Sequence, residues 1–322
     1  MSHKKRKKTY RISLIGVVDI VAIGLAIATL FGYLGSFSWF FDLFSHFHVQ
    51  YLQLCLVPFM IALWMRCNKR AVALVLLVGL NYTFVLPLYF GKPDATTDKP
   101  VRAMLMNINA GNSHAERVLG SIAQANPDIL LLEEVTPKWA DELAALNNQY
   151  KYRIARPQEG CFGIMLLSKY PLEHGHVVET GSGGIPSIIA EAYLPQGVVS
   201  IIGTHPPPPL GAESSKHRNS QLAALPELVK KQNHPVLLMG DLNTTPWSPY
   251  FTQLVRESGL KNSMKGFGHQ PTWPRKHFFP RIPLDHVLYS QGITIHKRMV
   301  ARDVGSDHFP VIVDFSVSSD RK

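Results

Sequence analysis

Beyond residue 100, eight polar side chains fall at the ends of apolar runs or in the first turn after them: Asn107, Glu134, His205, Asp241, Asn243, Asp285, Asp307 and His308. The clearest case is PVLLMGDLN, where residues 236–239 are unbroken apolar and Gly240 is followed by Asp241, Leu242 and Asn243. Such a run fits a strand buried on both faces. Extended backbone alternates its side chains, so Asp241 and Asn243 point one way and Leu242 the other. A lone DxN at a strand exit is more often an Asx turn than a site. Eight such residues together ask for another account. Gathered carboxylates repel unless a hard divalent cation binds them, and oxygen donors with no nearby Cys point to Mg²⁺ or Mn²⁺ rather than zinc. A histidine beside the cluster, with an Asp to orient it, is what proton handling at a phosphate requires.

The elements that must deliver these groups alternate along the chain. Strands are expected at 101–108, 129–132, 163–167, 188–194, 198–203, 236–239, 284–289, 293–300 and 310–315. Helical spacing marks 114–126, 138–148, 214–232 and 246–258, with Pro246 at the first helical position of the last. Several neighbouring strands have only hairpin links, so the sheets are expected to be mixed. His205 runs into four prolines, a stiff strand exit. Glu133 and Glu134 follow an apolar strand and point to opposite faces; one is solvated and the other must find a partner.

The first 91 residues read differently. Residues 12–34 carry one charge, Asp19, and residues 49–65 and 71–90 carry none, which gives three candidate membrane-spanning helices. The second is the weakest, being short and containing Gln50, Gln53 and Pro58, so a re-entrant hairpin is its alternative. Basic residues precede the first span (Lys4, Lys5, Arg6, Lys7, Lys8, Arg11) and separate the second from the third (Arg66, Lys69, Arg70), whereas the loop at 36–48 has no Lys or Arg and is rich in Phe and Trp. The positive-inside rule then puts both basic clusters in the cytoplasm and everything after about Gly91 outside it. The domains expected are a basic tail and membrane anchor at 1–91, a polar linker at 92–100 and a catalytic domain at 101–322. The net charge of +10 is largely this topology signal: residues 1–91 hold nine Lys or Arg against Asp19 and Asp42, and the remainder only 24 against 21 acids. High basicity is therefore poor grounds for nucleic-acid binding. Cys55 and Cys67 lie in the anchor, leaving Cys161 alone outside, so no disulfide within the outer domain is expected. Nothing calls for an obligate protein partner. The sequon at Asn243, inside the candidate site, favours a bacterial envelope over a eukaryotic secretory route.

Seven segments in order, NINAGN at 107–112, PDILLLEEV at 127–135, GIMLLSKYPL at 163–172, GTHPPPP at 203–209, GDLNTTPWSP at 240–249, IPLDHVLYS at 282–290 and GSDHFPV at 305–311, resemble the endonuclease/exonuclease/phosphatase superfamily, the deoxyribonuclease I-like fold. The anchored layout looks like a bacterial subgroup, which places the chain in the inner membrane with its catalytic domain on the periplasmic side. The resemblance implies a four-layered α/β sandwich of two mixed sheets flanked by helices. It implies Glu134 as principal ligand of Mg²⁺ or Mn²⁺, helped by Asn107 and Asp307. Asp241 would orient and deprotonate the attacking water, and Asn243 would hold the scissile phosphate. His205 and His308 would contact phosphate oxygens, with Asp285 fixing the tautomer of His308. Two positions depart from the pattern: many members have Gln where Glu133 stands, and some nucleases have Asp where Asn109 stands.

For the substrate, HQPTWPRKHFFPR at 269–281 interleaves Trp273, Phe278 and Phe279 with Arg275, Lys276 and Arg281. A nucleic-acid wall is the leading reading, with Arg153, Arg156, Lys216 and Arg218 as possible extensions of a phosphate-binding surface. A lip dipping into anionic lipid, hence a phospholipid or small phosphoester such as an inositol phosphate, is the alternative. A non-catalytic membrane-tethered binding module is the third.

Overall fold

The computed structural model describes residues 13–91 and 100–318; the basic cluster at 4–11, nearly all of the linker at 92–100 and the last four residues lie outside these. Two six-stranded mixed sheets face each other. One has the order β11 (Ile293–Val300), β12 (Val311–Val317), β1 (Val101–Asn107), β2 (Ile129–Glu133), β4 (Ile164–Ser168), β3 (Tyr152–Arg156). The other has the order β5 (Leu172–Thr180), β6 (Ile185–Leu194), β7 (Gly197–Thr204), β8 (Val236–Asp241), β10 (Asp285–Tyr289), β9 (Lys261–Asn262). At the centre of each sheet one pair is parallel, β1 with β2 and β7 with β8.

The unbroken apolar runs are explained by burial on both faces. Leu105, Leu131 and Leu166 meet Ile188, Ile201 and Met239 between the sheets. On the far side of the first sheet, Met104, Leu130 and Leu132 pack on Val118 and Ile122 of α5 (Ala115–Ala125) and Trp139 of α6 (Pro137–Glu142). On the far side of the second, Ile202 and Leu238 pack on Leu222 and Leu225 of α7 (Ala212–Lys230) and Phe251 and Leu254 of α8 (Pro249–Ser258). Each fully buried Leu or Ile contributes roughly 1.5–3 kcal/mol, so these layers can hold the strand ends in fixed register. The four-layered sandwich is thus present. Its boundaries differ from the sequence reading in two places that matter. The helix expected from Pro246 starts at Pro249, because the Ser248 side chain accepts from the Tyr250 amide and sets the cap there. The helix expected over 138–148 stops at Glu142 and tightens into a 3₁₀ turn at Leu143–Leu146.

In the N-terminal part, α1 (Leu14–Tyr33) and α4 (Asn68–Val85, prolonged by a 3₁₀ turn to Tyr89) are long and apolar enough to cross a membrane. The middle span expected at 49–65 is α3 (His48–Trp64), 17 residues with Pro58 inside. At about 1.5 Å per residue it falls short of a hydrocarbon core of roughly 30 Å. It counts as a third span only together with α2 (Trp39–Ser45), against which it is bent by 61°.

Candidate active site

The sheets place their strand exits at one edge. Asn107 ends β1, Glu134 follows β2, His205 follows β7, Asp241 ends β8, and Asp285 starts β10 in register with Asp241 because that pair is antiparallel. Asp307 and His308 sit in the turn before β12. Convergence of β7 and β8 requires Gly240, since a Cβ there would lie 1.8 Å from the Thr204 carbonyl oxygen.

Asp241 is the hub. Its Oδ2 accepts from Asn107 Nδ2 at 3.2 Å and lies 3.5 Å from His205 Nε2 and 3.4 Å from His308 Nε2. Its Oδ1 accepts from the Asn243 amide at 3.0 Å. His308 turns its other nitrogen, Nδ1, to Asp285 Oδ2 at 2.9 Å, so one aspartate orients the ring toward the other. Burial disfavours charge on both rings, but the carboxylates prevail. His308 is pushed up to about 10 by Asp285 and Asp241. His205 is pushed up to about 9, above all by its hydrogen bond to Asp241. In the same way the two rings, His308 first, overcome the burial of Asp241 and hold it down at about 2. The floor of the site is one ionised carboxylate flanked by two imidazolium donors.

Beside this floor, Glu134 accepts from Asn107 Nδ2 at 3.0 Å and from the Ala110 amide at 2.9 Å. Asp307 accepts from Asn109 Nδ2 at 2.6 Å and from Trp273 Nε1 at 3.0 Å. Asn107 and Asn109, one face of one strand exit, thereby reach both acids.

A family model for the Endonuclease/Exonuclease/phosphatase family matches residues 104–308, a span that holds every one of these groups. The chain belongs to this family. Two UPF0294 proteins are also similar: one of Vibrio parahaemolyticus is 34% identical over 103 residues, 31% of this chain and 34% of that protein, and one of Vibrio vulnificus is 31% identical over 109 residues, 34% and 36% of the two lengths. The chain therefore spans about a third of the length of these relatives. Among solved structures, the human Nocturnin catalytic domain with bound sulfate anion superposes with a TM-score of 0.58 at 20% identity, over 68% of this chain and 95% of that one. The D. rerio TDP2 complex with a single-strand DNA product gives 0.57 at 17% identity, over 68% and 100%. At those identities the likeness establishes the fold.

The endonuclease/exonuclease/phosphatase family is divalent-metal dependent, and two groupings of ligand atoms could meet that need. Asp241, Asp285 and His308 lie within 4.8 Å of one another. There, however, a proton-bearing imidazole already occupies the space between the carboxylates. Glu134 and Asp307 fit a cation better: both are half-buried, both accept from uncharged N–H groups, Glu134 also takes the Cys161 thiol, and no Lys, Arg or His pairs with either among the described residues. Hard oxygen donors without a protein cation suit Mg²⁺ or Mn²⁺.

Three features escaped the sequence reading. Glu133 is fully buried and takes the Asp241 amide at 3.0 Å; burial, together with the charges of Asp241 and Asp285, pushes it up to about 8, so at neutral pH it holds its proton. Trp273, read as substrate wall, also binds Asp307 and lies 6.4 Å from the His308 ring, centre to centre. Arg218, read as a surface cation, is fully buried and paired with Asp42 at 2.6 Å. Two acids in apolar surroundings, Asp42 among phenylalanines and Glu133 after ILLL, are the signal that could have found the first and third.

Proposed function

We propose that this family member is a membrane-anchored, divalent-metal-dependent phosphodiesterase whose catalytic domain lies outside the cytoplasm and whose substrate is a phosphoester presented at the membrane surface, a phospholipid head group ahead of a nucleic acid. The observation that carries the chemistry is Asp241, ionised and flanked by His205 and His308 as proton-bearing donors, beside Glu134 and Asp307, with which no Lys, Arg or His pairs among the described residues. A divalent ion held by Glu134, Asp307 and Asn107 would neutralise charge on the phosphoryl oxygens. Asp241 accepts the proton of the attacking water, His205 and His308 donate to the phosphoryl oxygens, Asn243 steadies the phosphate, and Asp285 keeps His308 turned inward.

The substrate side rests on the loop at 274–281. Gln50, near the start of α3, donates to the carbonyls of Phe279 at 3.0 Å and Arg281 at 2.9 Å, which ties this wall to the anchor. Phe278 at its tip is 82% exposed. Two of its three basic side chains are turned inward: Arg275 pairs with Asp303, and Arg281 binds the carbonyls of Pro274 and Arg275, while Lys276 is exposed. Arg156 and Arg218 pair with Glu179 and Asp42. A wall with an exposed aromatic tip, both arginines satisfied internally and a single exposed lysine suits a lipid interface better than a phosphate backbone. The basic turn at Arg66, Lys69 and Arg70 lies at the ends of α3 and α4 away from the catalytic domain, which supports the outer-side placement. A nucleic acid is the second reading, because the Trp273 ring beside His308 could stack on a base.

The full chain in detergent with Mg²⁺, offered anionic and zwitterionic phospholipid vesicles, DNA, RNA and inositol phosphates, tests the proposal. Turnover of vesicle lipid, abolished by Asp241→Ala, is expected. Salt-sensitive cleavage of DNA or RNA alone would move the second reading to first place, and full turnover in both Asp241→Ala and His308→Ala would refute the site.

A further inference from the structure

We infer that Asp42, in the short helix between the first two long helices of the anchor, is a positioning residue for the catalytic loop: acting through Arg218, it fixes the backbone of Asn243. This rests on the phosphodiesterase reading above and adds to the site a residue 199 positions earlier in the chain than Asp241.

Asp42 and Arg218 are both fully buried. Arg218 Nη2 donates to Asp42 Oδ2 at 2.6 Å, and the other carboxylate oxygen, Oδ1, accepts from Ser45 at 3.0 Å and Ser248 at 2.7 Å. The rest of the guanidinium is equally engaged: Nε and Nη2 donate to Asn219 Oδ1, the Tyr250 ring lies 5.4 Å away, and Nη1 donates to the Asn243 carbonyl at 3.2 Å. Asn243 has φ +49°, a left-handed conformation unfavourable to a residue with a Cβ and kept only where the surroundings impose it. Here they do. Its amide is held by Asp241, its side chain by the Pro206 carbonyl, and its own carbonyl by Arg218.

The anchor grips the rest of this loop as well. His46 Nδ1 lies 3.0 Å from Thr245 Oγ1, and Trp247 Nε1 donates to the Phe84 carbonyl at 3.1 Å. A buried ion pair is a poor way to add stability, because desolvation offsets the attraction. It is a good way to set a position, since neither partner can move without stranding the other's charge. The anchor-side helix therefore supplies part of the framework that aims Asn243 at the phosphate.

The test uses the full chain in lipid nanodiscs with Mg²⁺ and bis(p-nitrophenyl) phosphate, together with amide hydrogen exchange over residues 241–248. Asp42→Asn is expected to lower kcat about tenfold or more with KM within about threefold, and to speed exchange in the loop about tenfold. Asp42→Glu restores part of the kcat. The double variant Asp42→Leu/Arg218→Met, which strands no charge, is expected to fold and to keep the low kcat; it also gives the answer if Asp42→Asn does not fold. Wild-type exchange and kcat in Asp42→Asn, or wild-type kcat in the double variant, would overturn the inference. Asp241→Ala separates the two readings: if it retains turnover while the Asp42→Asn loop still exchanges faster, the phosphodiesterase reading fails and the positioning of the loop stands.

Discussion

Glu133→Gln is expected to stabilise the protein, and more so as the pH rises. Glu133 is buried at the end of β2, accepts the Asp241 amide, and is pushed from an ordinary value of 4.5 up to about 8 by burial first and by neighbouring acids second. Below pH 4.5 the folded and unfolded chains both hold the proton. Between pH 4.5 and about 8 the unfolded chain has released it and the folded chain has not, so folding must take up a proton. The stability is present at low pH and lost as the pH rises toward 8. At 1.36 kcal/mol per pH unit, the cost at pH 8 is about 4 kcal/mol. Gln keeps the carbonyl oxygen that receives the amide and has nothing to ionise. The assay is thermal unfolding of the full chain and of Glu133→Gln in detergent with EDTA, at pH 5 and pH 8. For a domain of this size 1 kcal/mol moves the Tm by roughly 2–4 °C, so the variant is expected to melt about 8–16 °C higher at pH 8, with little gain at pH 5. A variant that parallels the wild type at both pH values, or melts lower at pH 8, would refute the claim that Glu133 is held protonated.

Three further outcomes follow from the geometry. Asp285→Asn removes the first-named support of the raised His308 pKa, so the alkaline limb of the kcat/KM profile is expected to move down by about one pH unit or more, with a loss of kcat; an unmoved limb would show that Asp285 does not set the protonation of His308. Gly240→Ala drives a Cβ onto the Thr204 carbonyl at 1.8 Å, and a loss of roughly 3 kcal/mol or more is expected in denaturant unfolding. Chelation by EDTA is expected to abolish turnover and leave the circular dichroism of the sandwich unchanged, with activity returning on addition of Mg²⁺ or Mn²⁺; turnover undiminished in EDTA would count against Glu134 and Asp307 as ligands.

The strand exits were legible because the two central pairs are buried on both faces. Residues 129–132 and 236–239 have no polar member, so the point where they stop marks the edge of the sheet and the start of the site. Periodicity carried less where burial was partial. The strand β3 is largely exposed and β5 partly so, and neither shows a clean alternation of apolar and polar residues. The start of α8 was misplaced because two prolines three residues apart both fit a first helical turn; the Ser248 side chain selects the second. His205 could have been an ordinary loop histidine, and its 3% exposure comes from packing that no local pattern encodes. The Asp42–Arg218 pair joins residues 176 positions apart and has no motif, so only the folded chain brings it to light.

The Leu88 carbonyl, just past α4, accepts from both the Gly266 and Gly268 amides, at 2.8 and 2.9 Å, next to the Gln50 and Trp247 contacts. Contacts of this kind turn a leash into a mount. A domain on a loose tether sweeps a volume and meets whatever drifts through it, whereas a domain bolted to its membrane segment works at one height and one tilt. On the function proposed above, its selectivity would then be partly a matter of altitude: a phosphate would be cut if it came to the level at which Asp241 is held, and a chemically identical one farther out would be passed over.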